Sequence, residues 1–221
     1  MTARAARGSL SLPLRPRPHL LAISPGDHGV ERDLRFVARG LKGLDAVALL
    51  IREPHLDERE LVRLVTDLGP LFPGALWVHA RNTCGEDVAR WGEHGLHLDS
   101  RADVKEVRAR FDGPLGVSVH GLPAARRAKS AGADQLLLSP LFTPLSKPGD
   151  TRPTLGVERA ADVQRKVKLP VFGLGGITPE RARQCRDGGL AGVATIGALF
   201  PDDALPEEVR AAASALLAAW A

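Results

Sequence analysis

Two short apolar runs near the C-terminus end in glycine, in a pattern that could hold a phosphate. One is Pro170-Val171-Phe172-Gly173-Leu174-Gly175-Gly176-Ile177-Thr178-Pro179, and the other is Gly192-Val193-Ala194-Thr195-Ile196-Gly197-Ala198-Leu199. Glycine lets main-chain N–H groups come close to an anion, and a helix N-terminus nearby adds positive potential. Other apolar runs also end in side chains able to do chemistry. These are Arg52 and Glu53, His79, His97 and Asp99, Ser118 and His120, and Ser139. His79, His97 and His120 close three consecutive runs and could bind a transition metal, with Asp99 as a fourth ligand or an orienting partner.

These residues need a scaffold that gathers strand ends at one place. Eight strand candidates alternate with helix candidates: His19–Ser24, Ala46–Arg52, Ala75–Ala80, Gly95–Asp99, Pro114–His120, Gln135–Pro140, Pro170–Gly175 and Gly192–Ala198. They are short and rich in Val, Ile and Leu, as buried parallel strands are. A helix is predicted over Asp57–Leu68, with Asp57 as its cap and Leu61, Leu64, Val65 and Leu68 on one face. Others are predicted over Leu122–Ala131, stopped by Gly132, from Thr178 with Pro179 in its first turn, and over Glu207–Trp220. Eight βα units in regular order predict an α/β protein, a single (β/α)8 TIM barrel over residues 19–221. Such barrels carry their chemistry at the C-terminal strand ends and a phosphate cup after strands seven and eight. A doubly wound sheet is the competing architecture. It would be expected to carry a glycine fingerprint after its first strand, where Ser24-Pro25-Gly26-Asp27 stands instead.

Composition narrows the partners. The 221 residues are 44% hydrophobic and 25% charged, with a formal charge of +4, as in an ordinary globular chain. Only 4% are aromatic and no dense basic stripe occurs, so no nucleic-acid partner is expected, and anionic small molecules fit better. Cys84 and Cys185 form no CxxC pair and read as incidental thiols. No apolar run approaches the roughly 18 residues of a membrane span. Residues 1–18, with Arg4, Arg7, Arg15 and Arg17 and no acids, have a transit-peptide flavour but lack a long apolar core. They read as a flexible tail on a cytoplasmic protein.

The order of motifs resembles the thiamine phosphate synthase/TenI family from about Leu20 to Phe200. The resemblance is carried by GVSVH at Gly116–His120, LLSPLFTPLSKPG at Leu137–Gly149, VFGLGGIT at Val171–Thr178 and GVATIGALF at Gly192–Phe200. It implies one of two activities. The synthase joins a pyrimidine pyrophosphate to a thiazole phosphate with Mg²⁺; TenI-type members isomerise a thiazole carboxylate phosphate to its aromatic tautomer without metal. A homodimer is also implied.

The departures from the synthase pattern are specific. Of the Gln-x-Arg-Glu-Lys motif after strand two, only Arg52 and Glu53 remain, followed by Pro54. His79-Ala80 replaces the Asn-Asp pair after strand three, and Ser100 and Ala102 replace the Gln and second metal Asp after strand four. Magnesium needs oxygen ligands, so no metal or other cofactor is expected unless the synthase alternative holds. The thiazole half fits better. Ser146 and Lys147 match loop residues that contact the phosphate, although Pro144 replaces a Thr. Gly175, Gly176, Ile196 and Gly197 match the cup, with Gly197 where a Ser is common. His120 matches the histidine that moves the proton, a task that suits imidazole because it titrates near neutrality. Ser118, two residues earlier, shares its strand face.

The resemblance therefore favours a thiazole tautomerase with His120, Arg52 and Glu53 as catalytic residues. Ser118, Ser139, Ser146, Lys147, Gly175, Gly176, Ile196 and Gly197 would bind substrate or phosphate, and His79 and His97 would contact it or be structural. A divergent synthase and a non-catalytic thiazole phosphate-binding protein are the alternatives. Glu53 is open between pairing with Arg52 and proton transfer. Lys147 could be a solvated loop charge, and the cup glycines could serve packing alone.

Overall fold

The computed structural model describes residues 18–80, 91, 94–143, 153–200 and 205–221. Eight parallel strands close in chain order into a barrel. They are β1 (Leu20–Ile23), β2 (Val47–Ile51), β3 (Ala75–His79), β4 (Gly95–Leu98), β5 (Leu115–Val119), β6 (Gln135–Leu138), β7 (Val171–Leu174) and β8 (Gly192–Thr195). β8 closes onto β1, with Leu20 opposite Val193. All eight expected strands are present. Most are trimmed at the C-terminal end, where residues such as Arg52, Asp99, His120 and Gly175 leave the ladder to build the mouth.

Seven α-helices lie among the described residues: α1 (Leu34–Leu41), α2 (Glu58–Leu68), α3 (Val104–Arg110), α4 (Leu122–Ser130), α5 (Gly156–Val167), α6 (Pro179–Asp187) and α7 (Pro206–Leu217). Most of the β3–β4 connection lies outside the described residues. Local chemistry sets several boundaries. Asp57 Oδ1 accepts the Glu60 N–H, and Glu60 Oε2 accepts the Asp57 N–H, both at 2.8 Å, which fixes the start of α2. Thr178 Oγ1 caps α6 by accepting the Arg181 N–H. After α4, Gly132 takes φ +103°, a left-handed conformation that costs glycine little. The last helix ends at Leu217 and tightens into a 3₁₀ turn over Ala218–Trp220, so the segment read as one helix to Trp220 changes pitch at its end.

Strand alternation sorts the buried residues into two cores. Outward-facing residues such as Leu20, Leu49, Val78, Leu96, Val117, Leu136 and Val193 pack under the helices. Inward-facing ones form a separate cluster of Leu21, Ile23, Ala48, Leu50, Trp77, Leu137, Phe172 and Ala194 that fills the barrel. Glycines on the next strand make room for its bulkiest members. A Cβ on Gly95 would sit 2.2 Å from the Trp77 ring, and one on Gly192 would sit 2.6 Å from Phe172. Small-beside-large packing around the ring is what lets a filled interior close. The inward period then continues upward through Arg52, His79, His97, Ser118, His120, Ser139 and Ile196.

Candidate active site at the C-terminal mouth

The cup begins where β7 ends. Gly175 and Gly176 have φ of +112° and +61°, and both are hemmed in by the start of the β6–α5 loop. Phe142 N donates to the Gly175 carbonyl at 3.2 Å, and a Cβ on Gly176 would meet the Thr143 carbonyl oxygen at 2.3 Å. Conformation and crowding both demand glycine here. Gly197, after β8, differs. It is exposed, its φ is ordinary, and nothing lies within 4 Å of where a Cβ would stand. Main-chain amides of Gly176, Ile177, Gly197 and Ala198 donate to no backbone acceptor among the described residues, which leaves them available to an anion. Ile196 is half-buried, and its carbonyl accepts the Leu199 N–H at 3.2 Å.

A residue the sequence reading missed completes this turn. Arg181, in the first turn of α6, donates from Nη1 to the Gly176 carbonyl at 2.6 Å, and its guanidinium lies 4.8 Å from the Phe142 ring centroid. It joins the β7–α6 turn to the start of the β6–α5 loop. Ser146 and Lys147 lie outside the described residues.

The histidines occupy the β3–β5 side. His79 and His97 sit opposite each other in the ladder, with ring centroids 5.8 Å apart. His97 is only 1% exposed. Its Nε2 lies 2.9 Å from Ser118 Oγ. Burial, and then the nearby His79, hold its imidazole down at about 3, against the pull of Asp99. His97 is therefore neutral at physiological pH.

His120 is exposed at the end of β5, and its Nδ1 lies 2.7 Å from the Ser139 carbonyl oxygen. A carbonyl only accepts, so Nδ1 carries the proton, and in the neutral ring Nε2 is the basic nitrogen, with no hydrogen-bond partner among the described residues. Ser139 meets His120 through its main-chain carbonyl.

Arg52 and Glu53 part company, as adjacent residues on an extended chain do. The Arg52 N–H donates to the buried Ser24 Oγ at 2.7 Å, and its guanidinium lies near Gly26, 3.5 Å from where a Cβ would stand. Glu53 is fully buried. Its Oε2 accepts the His28 N–H at 2.8 Å and lies 3.8 Å from His55 Nδ1. The carboxylate thus braces the β1–α1 loop, a link across 25 residues that local spacing does not reveal. Among the described residues no three His, Cys, Asp or Glu side chains converge on a metal centre, so the transition-metal reading of the histidines gains no support. A cavity of about 260 Å³ opens at the opposite end of the barrel, beside Leu44, Phe72 and Ala75, and none of the candidate residues borders it.

A closed parallel barrel with glycine turns after β7 and β8 and titratable side chains at the ends of β3–β5 defines the class: a (β/α)8 barrel with its candidate site at the C-terminal mouth. Residues 20–199 match the family described as thiamine monophosphate synthase, and the chain belongs to that family, which serves thiamine biosynthesis. It is 34% identical over 188 residues to the thiamine-phosphate synthase of Roseiflexus sp. (strain RS-1), covering 83% of this chain and 78% of that protein. A thiamine-phosphate synthase of Moorella thermoacetica is 32% identical over 188 residues, covering 84% and 89%. In fold the chain is similar to the thiamine phosphate pyrophosphorylase of Pyrococcus furiosus, with a TM-score of 0.73 at 23% identity, covering 94% of this chain and all of that one. No helix among the described residues is long and apolar enough to cross a membrane.

Proposed function

We propose that this chain is a thiazole tautomerase that isomerises a thiazole carboxylate phosphate by proton transfer. The observation that carries this reading is His120, with Nδ1 committed to the Ser139 carbonyl and Nε2 left as a base at the mouth. The phosphate binds the amides of Gly176, Ile177, Gly197 and Ala198. Nε2 of His120 takes a proton from a ring carbon, the charge spreads into the conjugated ring system, and the imidazolium returns a proton at another position. The product has the same atoms and electrons as the substrate, so no redox partner is needed. The Nδ1–H bond to Ser139 steadies the imidazolium. Arg52, on the inward face, contacts the ligand, and Glu53 holds the β1–α1 loop rather than moving the proton.

Coupling of a pyrimidine pyrophosphate to a thiazole phosphate is the second reading, and the relatives' names favour it more directly. Its Mg²⁺ does not fit the residues present. Ala80 and Ala102 stand where the family pattern places metal-binding carboxylates, and Mg²⁺ depends on such oxygen donors. The test of the first reading is aromatisation of the substrate, followed by NMR, in wild type and His120→Ala. Turnover should fall at least about 100-fold in the variant; an unchanged rate removes His120 from the mechanism.

A further inference from the structure

His97 is buried more deeply than a ligand contact needs, yet it is one of few polar side chains inside the barrel. Its two ring nitrogens have different surroundings. Nε2 has one partner, Ser118 Oγ. Nδ1 has no hydrogen-bond partner among the described residues; it faces Gly116, where an added Cβ would stand only 2.6 Å away. The groups around the ring are His79 on β3, Asp99 just beyond β4, and Ser118 on β5.

This asymmetry chooses the tautomer. A buried N–H with no acceptor is rarer and costlier than a buried acceptor with no donor. The proton therefore sits on Nε2 and the bare Nδ1 packs against the Gly116 methylene. Nε2–H then donates to Ser118 Oγ, so the serine's own proton is turned away from His97. Ser118 is half-buried on the inward face, two residues below His120.

We propose that His97 is a positioning residue that fixes Ser118 as a hydrogen-bond donor to an acceptor on the ring half of the ligand. The proposal rests on the reading of the mouth as a thiazole phosphate site, and it gives Ser118 a direction: it reads an acceptor, such as the substrate's carboxylate oxygen, and does not accept from a donor. His97 does not touch the ligand and acts through the serine.

Two measurements test this. The first is made on the ligand-free, ¹⁵N-labelled protein by long-range ¹H–¹⁵N NMR, with His97 assigned by its loss in His97→Gln. The proposal requires the Nε2–H tautomer; a proton on Nδ1 overturns it, whatever reaction the protein performs. The second is calorimetric binding of thiazole carboxylate phosphate and of the same phosphate lacking the carboxylate. Ser118→Ala should weaken the carboxylate ligand about five- to ten-fold and the other ligand far less. His97→Gln keeps an N–H at the position of Nε2 and should bind within about two-fold of wild type, whereas His97→Phe should match Ser118→Ala. In the Ser118→Ala background, His97→Phe should add nothing further. Additive losses, or equal losses for both ligands, would contradict the proposal. Circular dichroism of each variant separates these outcomes from unfolding.

Discussion

The two halves of the barrel mouth are built from different materials. On the β7–β8 side the groups on offer are main-chain amides, and the identity of the side chains matters mostly through their absence. Gly176 tolerates no Cβ because the Thr143 carbonyl stands 2.3 Å from where it would be. On the β3–β5 side the groups are imidazoles and a hydroxyl, and their state is set by burial. His97 and His120 carry the same ring, yet one is sealed and neutral beneath Ser118 while the other is exposed and holds an open nitrogen. The proposed anion site thus rests on backbone conformation and the proposed proton-handling site on depth. Substitutions should separate the two: cup variants should lose affinity, and histidine variants should lose turnover or acid stability.

The largest effect is expected at His120, where the alanine variant should keep affinity for thiazole phosphate within a few-fold while its turnover collapses. Equal losses in both would merge the two halves and weaken the contrast. Next comes Gly176→Ala, in which the left-handed φ and the clash with a main-chain oxygen act together. Phosphate-ester affinity should fall at least about ten-fold, with a stability loss of about 1–3 kcal/mol read by urea unfolding. Normal binding in this variant would mean that the cup is not where the anion sits.

A pH dependence sharpens the other half. The unfolded chain protonates His97 near 6.5, the folded protein only near 3. Its contribution to stability is therefore complete above pH 6.5 and is lost as the pH falls from 6.5 toward 3. His28, also lowered by burial, acts in the same direction. Below pH 6.5 the wild-type unfolding free energy should fall more steeply than that of His97→Gln, by about 1.4 kcal/mol per pH unit. Parallel curves would mean that His97 is not sealed. The smallest effect is expected for Gly197→Ser, which should change affinity by less than about two-fold and stability by less than about 0.5 kcal/mol, because the position is open and its φ ordinary.

The same division decides what could be read from the sequence. The strands and the glycine turn after β7 were legible because both are local signals: short apolar runs, and glycine followed by a Thr-Pro helix start. The depth of His97 was not legible. It depends on Gly116 in the neighbouring strand yielding the space for the ring, and that pairing exists only once the barrel closes. The partner of Glu53 is hidden from the sequence for a related reason. Its neighbour Arg52 continues the inward period, whereas Glu53 falls on the other face and meets the His28 amide 25 residues back. Arg181 went unnoticed because an arginine in a helix's first turn carries no local mark of its reach to the Gly176 carbonyl.

The central claim is that this mouth moves a proton on a phosphate-anchored ring without a divalent ion. The most direct measurement is a paired assay of one purified preparation, following aromatisation of thiazole carboxylate phosphate and coupling of thiazole phosphate to the pyrimidine pyrophosphate, each with Mg²⁺ and with excess chelator. The account predicts aromatisation at the same rate in both conditions and no coupled product in either. Coupled product that forms with Mg²⁺ and vanishes with chelator would contradict it.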